Sequence, residues 1–145
     1  MRQQALRRSG IRRDVTREAH NESSFRYFLA QDRRRAQRSN RSLLLVLVVL
    51  RQGIGRRATL TNEESSMLFM ALGACLRDID IVGWYRQDRI VAGILAQAIK
   101  VSSDVPRAIA QRISTALSRR LPAQDAERLR IRVVTLGGVR AQASQ

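Results

Sequence analysis

The run from Ser42 to Leu50, SLLLVLVVL, constrains the fold more than any other feature of the chain. Its continuous leucine and valine side chains show no alternation of polar and apolar positions, which is typical of a strand buried on both faces. Such a strand belongs in the centre of a sheet. It is also far shorter than the roughly 20 apolar residues of a membrane-spanning helix. We therefore expect no membrane span.

A helix is predicted on each side of this strand. Over about residues 23–38, apolar side chains recur at helical spacing: Phe25, Phe28, Leu29 and Ala36. The stretch 51–59 contains two glycines and no periodic pattern, so it is predicted to be a loop. Thr61 and Glu64 then have the spacing of a capping box, and the apolar stripe that follows ends near Arg77.

The second half of the chain predicts a hairpin, a helix and a final strand. Ile81 to Tyr85 and Ile90 to Ala96 are strand-like runs joined by a short polar turn. A helix follows, with Pro106 in its first turn and an apolar residue at every fourth position: Val105, Ile109, Ile113, Leu117 and Leu121. Pro122 and Ala123 end this helix. After it, apolar residues alternate with arginines, which indicates a half-buried edge strand: Leu129, Ile131 and Val133 alternate with Arg128, Arg130 and Arg132.

These elements predict an α+β fold of ferredoxin-like βαββαβ order, in which helices pack on one face of an antiparallel sheet. One domain, residues 23–138, accounts for most of the 145 residues. Residues 1–22 are arginine-rich with few large apolar groups, so we expect a flexible arm there, and a tail over 139–145. No secretory leader opens the sequence, so a cytoplasmic location is expected. Cys75 is the only cysteine, which excludes an internal disulfide.

The net charge of +15 allows attraction to nucleic acid or to another anionic surface. All but one of the 27 basic residues are arginine, a skew that GC-rich coding alone can produce. The cluster Arg33 to Arg35, with Arg38 and Arg41, can contact phosphates or form an ordinary solvated helix face. The nearby Phe25 and Phe28 fit a core stripe, so no aromatic platform for bases is predicted among them.

The stretch Asp80 to Leu95, DIVGWYRQDRIVAGIL, resembles the hairpin of the diguanylate cyclase (GGDEF) family. The usual form of that hairpin is D-[LI]-V-[GA]-R-Y-G-G-D-E-F, and the alignment needs no gap. The order of elements over about residues 14–138 also agrees. The resemblance implies a nucleotide cyclase fold, and it places the family signature at Arg86, Gln87, Asp88, Arg89 and Ile90.

The signature departs from the family where catalysis depends on it. In active members two glycines let the backbone approach GTP, an acidic residue follows them, and a first-strand aspartate binds Mg²⁺. Here Arg86 and Gln87 replace the glycines, Arg89 replaces the glutamate, and no Asp or Glu lies between Leu43 and Asn62. The resemblance therefore implies no enzyme activity, no catalytic residue, no metal and no cofactor.

The expected function is that of a degenerate, inactive GGDEF-like signalling or regulatory domain acting on a protein partner or as a homo-oligomer. Many family members also bind cyclic di-GMP through an R-x-x-D motif five residues before the signature, and Arg77 and Asp80 have this spacing. A helix-ending arginine and a turn aspartate are the competing interpretation. The alternative function is an arginine-rich module that binds nucleic acid or an anionic surface.

Overall fold

A computed structural model describes residues 19–52, 59–76, 80–96 and 104–137 of the chain. The elements in these ranges are, in order, α1 (Glu22–Arg38), β1 (Ser42–Leu50), α2 (Asn62–Cys75), β2 (Ile81–Arg86), β3 (Ile90–Ala96), α3 (Val105–Arg120), α4 (Ala123–Arg128) and β4 (Leu129–Gly137). Within them, no helix has both the length and the hydropathy needed to cross a bilayer.

The four strands form one antiparallel sheet in the order β2-β3-β1-β4. This is the predicted ferredoxin-like βαββαβ arrangement, so the predicted fold class is confirmed. The Leu/Val run forms β1, which pairs with β3 on one side and β4 on the other. The arginine-alternating strand β4 lies at the sheet edge, again as predicted.

Helices cover both faces of the sheet. Leu44, Val46 and Val48 of β1 face the pair α2 and α3, where they pack with side chains such as Leu72 and Leu117. The alternate β1 residues face α1, and this second cluster contains Phe25, Ala36, Leu43, Leu45, Ala92 and Ile94. The prediction that helices pack on one face of the sheet is thus correct for α2 and α3, whereas α1 covers the other face. A strand that is apolar on both faces requires both layers.

The start of the domain lies earlier than the predicted boundary at residue 23. His20 forms a bridge with β2: its backbone N–H donates to Val82 (3.1 Å), and its carbonyl accepts from Trp84 (2.9 Å). Asn21 caps α1, because its side-chain oxygen accepts from the backbone N–H of Ser24 at 2.8 Å. The last residues of the predicted arm therefore belong to the fold. Residues 1–18 and the predicted tail at 139–145 lie outside the described residues.

The short helix α4 was not predicted. Pro122 ends α3 as expected, but its carbonyl then accepts from the backbone N–H groups of Asp125 and Ala126, both at 2.9 Å, and starts another helix. With the length of Ala123–Arg128, α4 is too short to produce a recognisable apolar period. It leads directly into β4 and brings Arg128 to the end of β1.

Candidate functional site

Four segments meet at one end of the sheet, which we call the hairpin end. There β1 ends, α2 begins, β2 turns into β3, and α4 leads into β4. Leu50 pairs with Leu129 at the last position of β1. The backbone N–H of Leu60, just before α2, donates to the carbonyl of Asp88 at 2.7 Å. The family signature and the end of β1 thus lie at the same end of the sheet, where the resemblance places a nucleotide site.

The unchanged signature residue, Asp88, shapes the turn between β2 and β3. Its φ of 63° lies in the left-handed region, which aspartate tolerates better than most side chains do. The backbone N–H of Arg89 donates to the carbonyl of Arg86 at 3.0 Å and closes the turn. The β2–β3 register shifts between Trp84 and Arg86. The left-handed backbone of this turn therefore falls on the retained aspartate and not on Arg86 or Gln87, which stand where the family has glycines.

The second glycine position of the signature is occupied by Gln87, which is bound to the start of α1. Its backbone N–H donates to the carboxylate of Glu22 at 2.6 Å. The backbone N–H of Glu22 donates in return to the side-chain oxygen of Gln87 at 3.1 Å. We call this reciprocal pair the Glu22–Gln87 clasp. The turn amide that could approach a phosphate is thus already bound to a carboxylate, which would repel a phosphate.

Arg26 of α1 reinforces the clasp. Its Nε and Nη2 donate to the carbonyl of Tyr85 at 3.3 and 3.1 Å, and its guanidinium lies 4.6 Å from the centroid of the Tyr85 ring. It also forms an ion pair with Glu22 at 3.4 Å. The guanidinium of Arg86 approaches the same ring, at 5.8 Å. The first turn of α1 is therefore fixed on the last residues of β2.

A second set of polar contacts at the hairpin end is centred on Arg128. Its Nη1 lies 3.0 Å from the carboxylates of Glu64 and Asp125. Its Nη2 donates to the side-chain oxygen of Gln52 at 3.0 Å, and its Nε to the carbonyl of Arg51 at 2.9 Å. This Arg128 network joins the end of β1, the first turn of α2, and α4. This network was not predicted from the sequence, because its members come from three separate segments and no spacing pattern links them.

The Arg128 network holds Glu64 in its charged form. Burial alone would raise the pKa of Glu64, but hydrogen bonds from the Thr61 backbone and from Arg128, together with the arginine charge, outweigh it. The pKa of Glu64 therefore lies below its ordinary value. At Cys75, at the end of α2, burial raises the pKa of the thiol despite the charges of Arg120 and Arg112. This cysteine is poorly suited to act as a nucleophile at neutral pH.

The side chains at the hairpin end do not fit the Mg²⁺ ion that an active cyclase requires. Mg²⁺ takes oxygen ligands in near-octahedral geometry. Among the residues that the structure describes, no group of three or more His, Cys, Asp or Glu side chains could hold a metal ion. Arg86 and Arg89 flank Asp88, and the two carboxylates of the Arg128 network are bound by a guanidinium. The charges near this end oppose cation binding.

The residues predicted to bind cyclic di-GMP are only partly described. Asp80 is buried, with 6% of its surface exposed, immediately before β2. Arg77 lies outside the described residues, so the geometry of the R-x-x-D pair stays a prediction. Of the predicted α1 cluster, Arg35 is paired with Asp32 at 3.1 Å. The other members, Arg33, Arg34, Arg38 and Arg41, are exposed.

Comparison with known proteins supports the fold directly. No protein-family model and no curated protein matches the sequence. A DGC protein of Thermotoga maritima superposes with a TM-score of 0.55 at 15% identity, over 84% of this chain and 82% of that one. This chain has a GGDEF-like fold.

Two further GGDEF domains, both from Pseudomonas aeruginosa, give the same result. A delta-N mutant of TpbB (or YfiN) that comprises only the GGDEF domain has a TM-score of 0.53 and 19% identity, over 81% of this chain and 71% of that one. The FimX GGDEF domain has a TM-score of 0.53 and 17% identity, over 86% and 80%. The suspected likeness to GGDEF domains is therefore confirmed at the level of fold, and the function of this GGDEF-like domain has to be argued from its own residues.

Proposed function

We propose that this GGDEF-like domain does not convert GTP and acts instead as a regulatory domain that contacts another protein or a second copy of itself. The charge arrangement at the hairpin end carries the proposal. Transfer of a nucleotidyl group from GTP requires a metal ion held by carboxylates close to the phosphates. Here Arg128 neutralises Glu64 and Asp125 at 3.0 Å each.

The Glu22–Gln87 clasp supports the same proposal from the other side of the hairpin end. Phosphate groups bind well to free backbone N–H groups in a turn. The N–H of Gln87 is already satisfied by the Glu22 carboxylate at 2.6 Å. A GTP phosphate would have to displace that carboxylate, so that one anionic acceptor would only replace another at this N–H. The two exposed arginines beside Asp88 attract anions, but they repel the cation that the chemistry needs.

Incubation of the purified chain with GTP and Mg²⁺ or Mn²⁺ tests this proposal. We expect no cyclic dinucleotide in the chromatogram, while an active diguanylate cyclase treated in parallel yields product. Asp88→Ala is the matched control, because Asp88 is the one signature carboxylate that remains. Turnover by the wild type that is lost in Asp88→Ala would refute the proposal.

Cyclic di-GMP sensing through Arg77 and Asp80 is a separate part of the proposal. A guanidinium can bind a phosphate or the guanine edge with two hydrogen bonds, and a carboxylate can accept from the guanine N–H groups. Calorimetric titration of cyclic di-GMP should give heat with the wild type and none with Arg77→Ala. Arg89→Ala, which removes the same charge from the exposed turn, should keep the wild-type affinity. If the wild type gives no heat, the sensing function is excluded and only protein contact remains.

The protein-contact function predicts an identifiable assembly state. Met70, on the outer side of α2, is a large apolar side chain with 59% of its surface exposed. A contact with another protein that buries this side chain would gain free energy from it. Analytical ultracentrifugation at about 5 to 200 µM protein covers the range in which weak dimers form. A dimer in this range indicates self-association, and a monomer throughout indicates that a different partner is needed. Replacement of Met70 by glutamine should weaken any dimer that buries this side chain.

A further inference from the structure

The outer face of α1 presents an exposed aromatic ring in line with arginines. Tyr27 has 58% of its surface exposed, whereas Phe25, two residues earlier, is fully buried on the opposite side of the helix. Arg34 and Arg38 follow Tyr27 by 7 and 11 residues, which places both within about 20° of it around an α-helix. The three side chains therefore form a stripe of about 17 Å along the helix. Neither the apolar period nor the arginine cluster predicted an exposed ring there.

The Tyr27 ring is held in place by its neighbours on α1. The side-chain amide of Gln31 donates to the Tyr27 hydroxyl at 3.0 Å. The ring also makes an edge-on contact with Phe28, with 5.6 Å between the ring centroids. Phe28 is itself packed against the sheet. A ring that is already positioned loses little conformational entropy when a ligand stacks on it.

The arginines beside this ring are available to a ligand. Within the described part of the chain, the ion pairs on α1 are Arg26 with Glu22 and Arg35 with Asp32. Arg33, Arg34, Arg38 and Arg41 are exposed and take part in neither. Exposed arginines without acidic partners bind phosphates with two hydrogen bonds each.

The combination of groups selects among anionic partners. A single strand of nucleic acid offers phosphates for arginines and unstacked bases for an aromatic ring. A duplex hides its bases, and an acidic peptide would satisfy the arginines without using the ring. A membrane-surface helix needs several large apolar side chains on its exposed face, whereas Tyr27 is the one exposed large apolar side chain on α1.

We propose that this surface of α1, the stripe of Tyr27, Arg34 and Arg38 with the neighbouring Arg33, binds single-stranded nucleic acid. The arginines contact the phosphates and one base stacks on Tyr27. The site lies on α1, away from the Arg128 network, and does not depend on whether the hairpin end is active. It therefore adds a binding activity to the proposed regulatory role and does not rest on it.

The chain contains a matched control for charge. Arg107, Arg112 and Arg119 are exposed on α3, on the opposite side of the sheet from α1. Among the described residues none of them makes an ion pair, and α3 carries no acidic side chain. Removing three arginines from either helix lowers the net charge equally. A difference between the two triple variants therefore reports a site and not the overall charge.

Fluorescence anisotropy with the full chain tests the proposal. The probes are a labelled mixed-sequence RNA of about 16 nucleotides, a DNA strand of the same sequence, and the duplex of that DNA with its complementary strand. Each is titrated at about 50 to 200 mM salt. We expect both single strands to bind more tightly than the duplex. Arg33→Gln, Arg34→Gln and Arg38→Gln together should weaken binding at least about tenfold and reduce the slope of log affinity against log salt by about 2.

The tyrosine and the control helix give the remaining expected results. Tyr27→Leu should weaken binding about fivefold or more while leaving the salt slope unchanged, because stacking releases no counterions. Arg107→Gln, Arg112→Gln and Arg119→Gln together should have a much smaller effect on affinity than the α1 triple variant. Circular dichroism confirms that each variant is folded before its binding is compared.

Four results would overturn the proposal. The proposal is excluded if neither single strand binds at about 50 mM salt, the lowest concentration used, where phosphate contacts are strongest. Equal losses in the two triple variants would show diffuse attraction to the net charge. Equal affinity for the duplex and no effect of Tyr27→Leu would exclude base stacking. Binding to phosphatidylserine vesicles without binding to the oligonucleotides would assign the α1 face to a membrane surface.

Discussion

Glu22 and Gln87, 65 residues apart in the chain, exchange two hydrogen bonds in which each backbone N–H donates to the other's side chain. The pair joins the first turn of α1 to the turn between β2 and β3. A carboxylate in the first turn also interacts favourably with the helix dipole. The same contact therefore caps a helix and closes the turn that serves GTP binding in the family that the hairpin resembles.

The clasp should contribute measurably to stability. Glu22→Gln keeps the shape of the side chain but removes the charge behind the 2.6 Å bond from Gln87 and the ion pair with Arg26. We expect a loss of about 1 kcal/mol in the free energy of unfolding, measured by urea titration, since these contacts are partly exposed. Glu63→Gln, an exposed first-turn glutamate of α2, is the control and should cost less than about 0.5 kcal/mol. Equal effects would show that the clasp adds nothing beyond helix capping.

Removing the centre of the Arg128 network should cost more. Arg128→Met leaves the carboxylates of Glu64 and Asp125 without their cation and breaks the bonds to Arg51 and Gln52. We expect a loss of roughly 2 kcal/mol in unfolding free energy. Arg128→Lys should recover only part of it, because lysine lacks the planar fork that serves these acceptors.

The control for the Arg128 network is Arg132→Gln, an exposed arginine of β4. Because this side chain lies at the surface, its replacement should change the unfolding free energy by less than about 0.5 kcal/mol. If Arg128→Met were as stable as Arg132→Gln, the network would not hold the hairpin end together.

The stability of the domain should fall in acid partly through Glu64. Because the folded-state pKa of Glu64 is lowered, its contribution is fully present above the unfolded-state pKa of about 4.3. It is lost as the pH falls through the lower folded-state value. The difference in unfolding free energy between wild type and Glu64→Gln should therefore be constant near pH 7 and shrink below about pH 4. A difference that stays constant down to pH 3, which is about one unit below the ordinary pKa of glutamate, would contradict the assigned role of Glu64.

The bridge between His20 and β2 makes Gly83 hard to replace. A Cβ atom at Gly83 would lie 2.6 Å from the His20 carbonyl oxygen and 2.9 Å from the Phe25 ring. We expect Gly83→Ala to displace the start of α1 and to lower the melting temperature by several degrees, for a cost of about 2 kcal/mol.

Gly93 provides the comparison for this substitution. A Cβ atom there would meet the end of the Leu76 side chain at 2.8 Å, with backbone no closer than 3.7 Å. Because a side-chain methyl group can move and a carbonyl in a sheet bridge cannot, Gly93→Ala should be the milder variant in thermal unfolding. The reverse order would mean that the His20 bridge adapts easily to a new methyl group.

The fold was predictable because its signals are local. A buried strand such as Ser42–Leu50 and a helix with an apolar residue at every fourth position carry their period within one segment. The six-residue α4 is shorter than two helical turns and left no such period. Because β1 is apolar on both faces, a helix layer is needed on each face of the sheet, and α1 forms the second layer. The sequence already showed this need, but the prediction placed helices on one face alone.

The site was less predictable because its contacts are long-range. The signature residues were identified from the sequence, but their partners were not: Glu22 lies 65 residues from Gln87, and Glu64 lies 64 residues from Arg128. Tyr27 was missed for a different reason. It lies between Phe25 and Phe28 in the same helix, and only the direction of its side chain separates an exposed ring from a core one.

Charged side chains of the chain itself occupy the hairpin end, and we propose that they leave no place for a metal-bound nucleotide. Calorimetric titration with Mg²⁺ and a non-hydrolysable GTP analogue tests it most directly. We expect no saturable heat with the wild type. Saturable binding that disappears in Asp88→Ala would contradict it, because it would show that the carboxylate between Arg86 and Arg89 still holds a cation and its nucleotide.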